Sequence, residues 1–375
     1  MKKILIYDSK YVGHHSEYIN NILTYLTKYH PINIYIYIAI HPKVVDILDL
    51  DKKTIPNVEY IILPEKRKIS ILTRYFYQLS EIKFIVKERG IEQVVLLYLN
   101  PLFISLVLMR YNFSVLGIVF YVYNPNYARY SLFKRLSKEF YYGAVSKQRK
   151  IKKIFVLNDK KSCEYLNKHF HTDKFCYLPD PIPYYEIEDL PKEIVEIKQT
   201  RKIALHFGVM SERKGTLLIL DTIATLPDEI VSKTSFFFVG KPYTEAFEVL
   251  LRNKIYQLQT QFSNINIHYN PHFVSSGQME SYYKLSDFVL MPYLTKSSSS
   301  GVLGYAAKHQ KPVIVTSNGL LGEIVEKYDL GISTEINKEN LNNSIQNLIL
   351  NEKQINGSKY VEEHSVDAFV KTLIT

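Results

Sequence analysis

Short apolar runs alternate with longer stretches of helical periodicity along most of this chain. The runs at 3–8, 32–39, 58–63, 93–99, 115–121, 153–157 and 175–178 are rich in β-branched and aromatic residues and too short for helices. Strands that alternate with helices predict a parallel sheet with right-handed crossovers. The alternation stops at Pro179-Asp180-Pro181-Ile182-Pro183, and the acidic, strand-poor stretch that follows reads as an interdomain linker. It restarts with runs at 202–207, 235–239, 264–269, 287–292, 313–316 and 331–333. The expected fold class is therefore α/β, with two doubly wound Rossmann-like domains whose parallel sheets face an interdomain cleft. The expected boundaries are 1–182 and 201–358, with 183–200 as linker. Ligands of open parallel sheets bind beyond the carboxyl ends of the strands, so those ends are the place to look for chemistry.

Composition agrees with this division. A chain of 375 residues, 46% hydrophobic and 22% charged, is globular and long enough for two domains. The most apolar stretch, 94–123, raises the question of a membrane span. Asn100-Pro101 and Arg110-Tyr111-Asn112 break it, however, into strand, helix and strand. Cys163 and Cys176 make neither a disulfide framework nor a metal cage, which favours a reducing cytoplasm. The first residues, Met1 to Asp8, carry too short an apolar run for a signal peptide.

The net charge of +10 is unevenly placed. Residues 1–180 hold 28 basic and 15 acidic side chains, and the remainder 19 and 22. Between Arg129 and Lys153 nine basic residues face one acid, Glu139, with Tyr127, Tyr130, Phe133, Phe140, Tyr141 and Tyr142 interleaved. A second knot is Lys66-Arg67-Lys68 followed by Arg74-Tyr75-Phe76-Tyr77. Such a surface suits an anionic membrane, where each basic residue contributes about 1 kcal/mol and aromatic rings favour the interface. A solvated helix face would have the same composition. Single-stranded nucleic acid is not an expected partner, because none of its recognition motifs is present.

Two segments carry candidate chemistry. In His206-Phe207-Gly208-Val209-Met210-Ser211-Glu212-Arg213-Lys214-Gly215, a glycine turns the chain after an apolar strand, and two cations stand just before a helical run at 216–224. A helix N-terminus disfavours cations unless an anion arrives, so the segment reads as a phosphate cradle or as a solvated basic loop. In Met291-Pro292-Tyr293-Leu294-Thr295-Lys296-Ser297-Ser298-Ser299-Ser300-Gly301-Val302, a strand end leads through four serines and a glycine into a helix. Gly301 admits close approach of a diphosphate to that helix end, although a serine run is also a simple cap. Asp49-Leu50-Asp51 matches the D-x-D of metal-dependent transferases but follows a helical pattern in polar sequence, and no metal is expected.

These two segments, with Lys311-Pro312-Val313-Ile314-Val315-Thr316 and Gly319-Leu320-Leu321-Gly322-Glu323-Ile324-Val325, resemble the donor-binding domain of retaining glycosyltransferases of family 4, which have the GT-B fold. The N-terminal half resembles that family mainly in layout, with a glycine loop at Gly13-His14-His15 after the first strand. The resemblance implies a nucleotide-sugar donor and no cofactor. Lys214, helped by Arg213, would neutralise the donor diphosphate beside Gly208, with the N–H groups of Gly301 and Val302 on its other side. His272-Phe273-Val274 would frame the base, Gly13 would let its loop approach the phosphates, and His14 or His15 would face the donor sugar or the acceptor. Residues 359–375, chiefly 361–374, would return as a helix to the N-terminal domain.

Departures accompany the likeness. The family's two glutamates, seven residues apart, correspond to Ser297 and Tyr305, which suggests a serine-glycine variant around Ser300. Its histidine after the fifth strand is replaced by Tyr121-Val122-Tyr123-Asn124-Pro125, and its arginine after the cradle glycine by Val209. The expected activity is transfer of a hexose-type sugar, with retention, to a glycan acceptor carried on a lipid, in cell-surface polysaccharide (lipopolysaccharide or capsule) or glycolipid synthesis. The enzyme would be peripheral on the cytoplasmic face of the membrane. A sugar-nucleotide epimerase of the same fold and a catalytically impaired binding protein remain as alternatives.

Overall fold

The computed structural model describes every residue except Val12, 31–32, 51–53, 66–69, Tyr121, 126–130, 296–299 and Thr375. Two compact units divide the chain, one of Met1–Pro181 with Ser365–Thr375 and one of Ile182–His364.

The first unit holds β1 (Lys2–Asp8), β2 (Ile34–Ile40), β3 (Val58–Ile62), β4 (Gln93–Leu96), β5 (Ser114–Val119), β6 (Ile151–Leu157) and β7 (Phe175–Leu178). They form one sheet in the order β3-β2-β1-β4-β5-β6-β7, parallel throughout. The second holds β8 (Lys202–Phe207), β9 (Thr234–Val239), β10 (Asn266–Asn270), β11 (Phe288–Met291), β12 (Val313–Thr316) and β13 (Gly331–Thr334). Their order is β10-β9-β8-β11-β12-β13, again parallel.

Helices cover both faces of each sheet, which is why the central strands are apolar along their whole length rather than alternating. Leu5, Tyr7, Val94 and Leu96 belong to one core layer of the first unit, while their neighbours Ile4, Ile6 and Val95 belong to the other. In the second unit Leu205, Val289 and Met291 face one layer, and Ala204, Phe288 and Leu290 the opposite one. The apolar stretch 94–123 resolves into β4, a short helix at Phe103–Leu108 and β5. Among the described residues no helix is long and apolar enough to cross a membrane.

Two expectations about the organisation change. The stretch 183–200 is not a free linker. Ile194 is buried, Ile182, Tyr185, Leu190 and Ile197 pack on the same core layer of the second unit, and the unit begins at Ile182. Apolar residues spaced among the acids, too few to register as a strand or a long helix, anchor it. The terminal helix is two helices, Ser358–Glu363 in the second unit and Val366–Ile374 in the first. The break falls at Ser365, whose hydroxyl accepts the Ala368 N–H at 3.2 Å and so starts a new helix. Phe369, Val370, Leu373 and Ile374 then bury against the first unit, with Phe369 5.1 Å from the Tyr18 ring and Asp367 3.0 Å from Lys28.

Candidate functional site

The second unit carries the stronger constellation, at the carboxyl ends of β8 and β11, the neighbours at which its strand order reverses. Gly208 follows β8 with φ 95°, and a Cβ built there would lie 2.7 Å from the Lys214 ammonium. Glycine is favoured here by the left-handed backbone, and any Cβ would also displace the Lys214 ammonium that rests on it. Lys214 is only 9% exposed. Its Nζ donates to the Phe207 carbonyl at 3.3 Å and stands 5.4 Å from the centre of the Tyr293 ring. Among the described residues it meets no carboxylate. Burying a cation without a counter-ion is costly, so the loop is built to receive an anion. Arg213 is exposed, and its carbonyl accepts the Leu294 N–H at 2.8 Å.

Tyr293 joins the two segments that the sequence singled out separately. Buried at 2% exposure, it lies beside Lys214 on one side, and its hydroxyl is 3.2 Å from the Ser300 hydroxyl on the other. Ser300 caps the helix Gly301–Lys308 by accepting the Val302 N–H at 3.3 Å. That N–H, expected on a diphosphate, is therefore engaged within the protein. Among the described residues no atom lies within 4 Å of a Cβ built at Gly301.

The loop is braced from below by His206, a residue whose part the sequence did not disclose. Its ring bonds the Leu290 carbonyl through Nδ1 at 2.9 Å and the Thr216 hydroxyl through Nε2 at 2.9 Å. Burial, reinforced by the Lys214 charge and opposed by the Leu290 carbonyl, pushes its pKa down to about 4. The neutral ring then donates from Nδ1 and accepts the Thr216 hydroxyl at Nε2, which ties β8, β11 and the start of helix Thr216–Ile223 together. An unfolded histidine takes up its proton first, so this group stabilises the fold above its ordinary value of 6.5. That stability is lost as the pH falls towards 4, by about 3 kcal/mol in total. In His206→Asn, urea unfolding at pH 7, 5.5 and 4 is expected to lose that slope; an unchanged slope would refute the assignment.

A second brace is Gly240, after β9 with φ 131°, whose built Cβ would strike the Gly208 carbonyl at 2.4 Å. The Met210 N–H donates to Lys241 and the Tyr243 N–H to Met210. The signal was present in the sequence, since a glycine follows β9 just as one follows β8.

The remaining expected residues are distributed as follows. His272 and Phe273 are exposed and Val274 partly buried, beyond the end of edge strand β10, with Lys241 6.0 Å from the centre of the Phe273 ring. Tyr305 is 8% exposed and stacks on Tyr283 at 5.6 Å, so its ring serves the core. Ser297 lies outside the described residues, as do Lys66-Arg67-Lys68, Tyr121, Tyr127, Arg129, Tyr130 and Asp51. In the first unit Gly13 has φ 79°, and among the described residues no atom lies within 4 Å of a built Cβ. The two histidines separate: His15, 14% exposed, bonds Asp8 at 2.7 Å, whereas His14 is 54% exposed beside Glu17. Asp49 ends the helix Pro42–Leu48 in a left-handed conformation.

Residues 188–363 match the family described as Glycosyl transferases group 1. The lipopolysaccharide glucosyltransferase WaaG of Escherichia coli (strain K12) is 26% identical over 208 residues, 52% of this chain and 50% of that protein, so the chain spans about half the length of that relative in sequence. A crystal structure of WaaG, described as a glycosyltransferase involved in lipopolysaccharide biosynthesis, superposes with a TM-score of 0.64 at 17% identity, covering 99% of this chain and 95% of that one. Anabaena HepE, solved in complex with UDP, gives 0.69 at 14% identity over 100% and 98%. The second unit thus matches the group 1 glycosyl transferases over residues 188–363, and the chain as a whole has the GT-B fold, two Rossmann-like units each built on a parallel sheet.

Proposed function

We propose that this protein is a retaining glycosyltransferase that moves a hexose-type sugar from a nucleotide-sugar donor to a glycan acceptor carried on a lipid. The observation that carries the reading is the buried Lys214 ammonium, held over Gly208 with no carboxylate partner among the described residues and linked through Tyr293 to the helix end at Ser300 and Gly301. A donor diphosphate supplies the missing anion. In the transfer step the sugar–phosphate bond breaks, the leaving diphosphate accepts the acceptor hydroxyl's proton, and the new bond forms on the same face. Fixed positive charge at the departing oxygens is then the main contribution of the protein. Lys214 provides it, with Arg213 and the Gly301 N–H adding to it, and the step needs no metal. His272, Phe273 and Val274 flank the base, while Gly13, His14 and His15 serve the sugar or acceptor. The WaaG likeness and the UDP-bound neighbour make UDP-sugars the first donors to try. A thermal-shift panel of nucleoside diphosphates, followed by product analysis with and without acceptor, tests the reading. A stabilising diphosphate and a retained anomeric configuration are expected; no stabilisation by any of them would overturn it, and sugar interconversion without acceptor would make the protein an epimerase.

The protein works at a membrane surface in this reading, on its cytoplasmic face. Helix Leu132–Lys147 leaves Leu132, Phe133, Leu136 and Phe140 between 60% and 82% exposed. Their spacing places them on one face, which the exposed Lys147 shares farther along the helix. In vesicle flotation the protein is expected to bind anionic but not neutral lipid, and the double change Phe133→Ser, Phe140→Ser to weaken binding about tenfold or more. Binding to neither vesicle would sink the membrane role while leaving the transfer chemistry untouched.

A further inference from the structure

The first unit holds a recess that the donor chemistry leaves unused. It opens at the carboxyl ends of β1 and β4, the neighbours at which this sheet reverses its order, and is a small recess of about 30 Å³ open to solvent. Residues following β1, the helix Ile71–Arg89 and residues beyond β4 line it.

Its charge is unbalanced. Arg74 contributes a guanidinium whose Nε is buried and, among the described residues, has no acceptor. Lys10 adds an exposed ammonium, and neither cation makes an ion pair among the described residues. The carboxylate in the lining is engaged elsewhere and pairs with neither among the described residues. Asp8 is 2% exposed, with one oxygen taken by the Lys10 backbone N–H at 2.9 Å and the other by His15 at 2.7 Å. Glu81, farther along the helix, accepts the Tyr7 hydroxyl at 2.7 Å. Gln78 donates one amide N–H to the Ser9 hydroxyl at 2.7 Å. Arg74 also sits in the first turn of its helix, where no acidic residue offsets the positive end of the dipole. A buried guanidinium nitrogen without an acceptor is a deficit that one oxyanion corrects, and the planar fork suits carboxylate or phosphate bidentately.

We propose that this recess binds an anionic group, a phosphate or a carboxylate, and that the glycan acceptor is therefore acidic rather than neutral. The anion site stands on its own residues; its assignment to the acceptor rests on the transferase reading above.

The probes are inorganic phosphate and glucuronate, titrated calorimetrically into the full chain. Because phosphate also suits the Lys214 loop, the titrations use Lys214→Ala as the parent and compare it with Lys214→Ala carrying Arg74→Gln or Arg74→Lys. At least one probe is expected to bind the parent, about tenfold or more weakly with Arg74→Gln, and with intermediate affinity for Arg74→Lys, which keeps the charge but loses the fork. Phosphate binding alone assigns a phosphorylated acceptor, and glucuronate binding alone an acidic sugar. No binding of either probe to the parent, or equal affinity in a parent and an Arg74→Gln variant with matching urea unfolding curves, overturns the proposal. UDP binding to the wild type is measured separately, so failure of the donor site and failure of this one are told apart.

Discussion

If the protein is the proposed transferase, replacing Lys214 by alanine is expected to lower the turnover of sugar transfer by about 10²- to 10³-fold, the range observed when one preorganised charge-stabilising donor is removed. The ammonium is 9% exposed, held by one long hydrogen bond to Phe207 and the face of Tyr293, and awaits an anion. Its attraction to the diphosphate grows as the sugar–phosphate bond breaks, so kcat falls by more than donor affinity does. Arg213 cannot substitute, since a solvated charge is screened where a buried one is not. The fold survives, because removing an unpaired buried cation also removes a desolvation cost. Steady-state kinetics with a UDP-sugar, beside thermal unfolding of the same preparation, checks both halves; near-normal turnover would remove Lys214 from the chemistry.

Glu280→Ala lowers the stability by about 3–5 kcal/mol, the cost of breaking a buried ion pair by removing one partner. Glu280 is 1% exposed and receives Lys308 and His309 at 2.5 Å each. Lys308 also donates to the Pro183 carbonyl at 3.1 Å and lies 3.8 Å from the centre of the Tyr184 ring, so the cluster fastens the start of the second unit to its core. Burial alone would raise the Glu280 pKa; the hydrogen bonds and charges of His309 and Lys308 outweigh it and hold the carboxyl below its usual 4.5. A lowered folded pKa means that the stabilisation is present above pH 4.5 and disappears as the pH falls through the lower folded value. Urea unfolding at pH 7 reads the loss. Glu280→Leu combined with Lys308→Met should recover much of it, because no unpaired charge then remains between the two positions. A loss under about 1 kcal/mol in the single variant would mean that the cluster is better solvated than its burial indicates.

Much of the architecture was legible in the chain. The runs at 175–178, 202–207 and 313–316 coincide with β7, β8 and β12, and the other described strands differ only at their ends. Buried parallel strands must be apolar throughout, so their signal is strong. The stretch 183–200 was not legible, because Leu190 and Ile194 acquire a partner only when the second unit's core exists. Nor was the break at Ser365, where an apolar periodicity continues across a cap.

At the candidate site, residue types were readable and their partners were not. Gly208, Lys214 and the Ser300-Gly301 helix start could be named from glycines, cations and serines placed after strands. Tyr293 and His206 could not, since a tyrosine or histidine within an apolar segment has the same appearance whether it fills space or joins two loops. The pair His14 and His15 was ambiguous in the same way, until one ring turned to Asp8 and the other to Glu17 and Tyr18. Arg74 read as one cation in a basic knot; its missing acceptor is a property of its surroundings.

The sequence by itself determined two parallel-sheet units, an uneven charge and a candidate diphosphate loop, because hydrophobic periodicity, composition and glycine placement are local. Only the tertiary structure decided which cations lack counter-ions, which N–H groups are already spent and which carboxylate is buried with its partners. Those are differences between neighbours distant in the chain, and they exist only once desolvation has made each unmade bond costly.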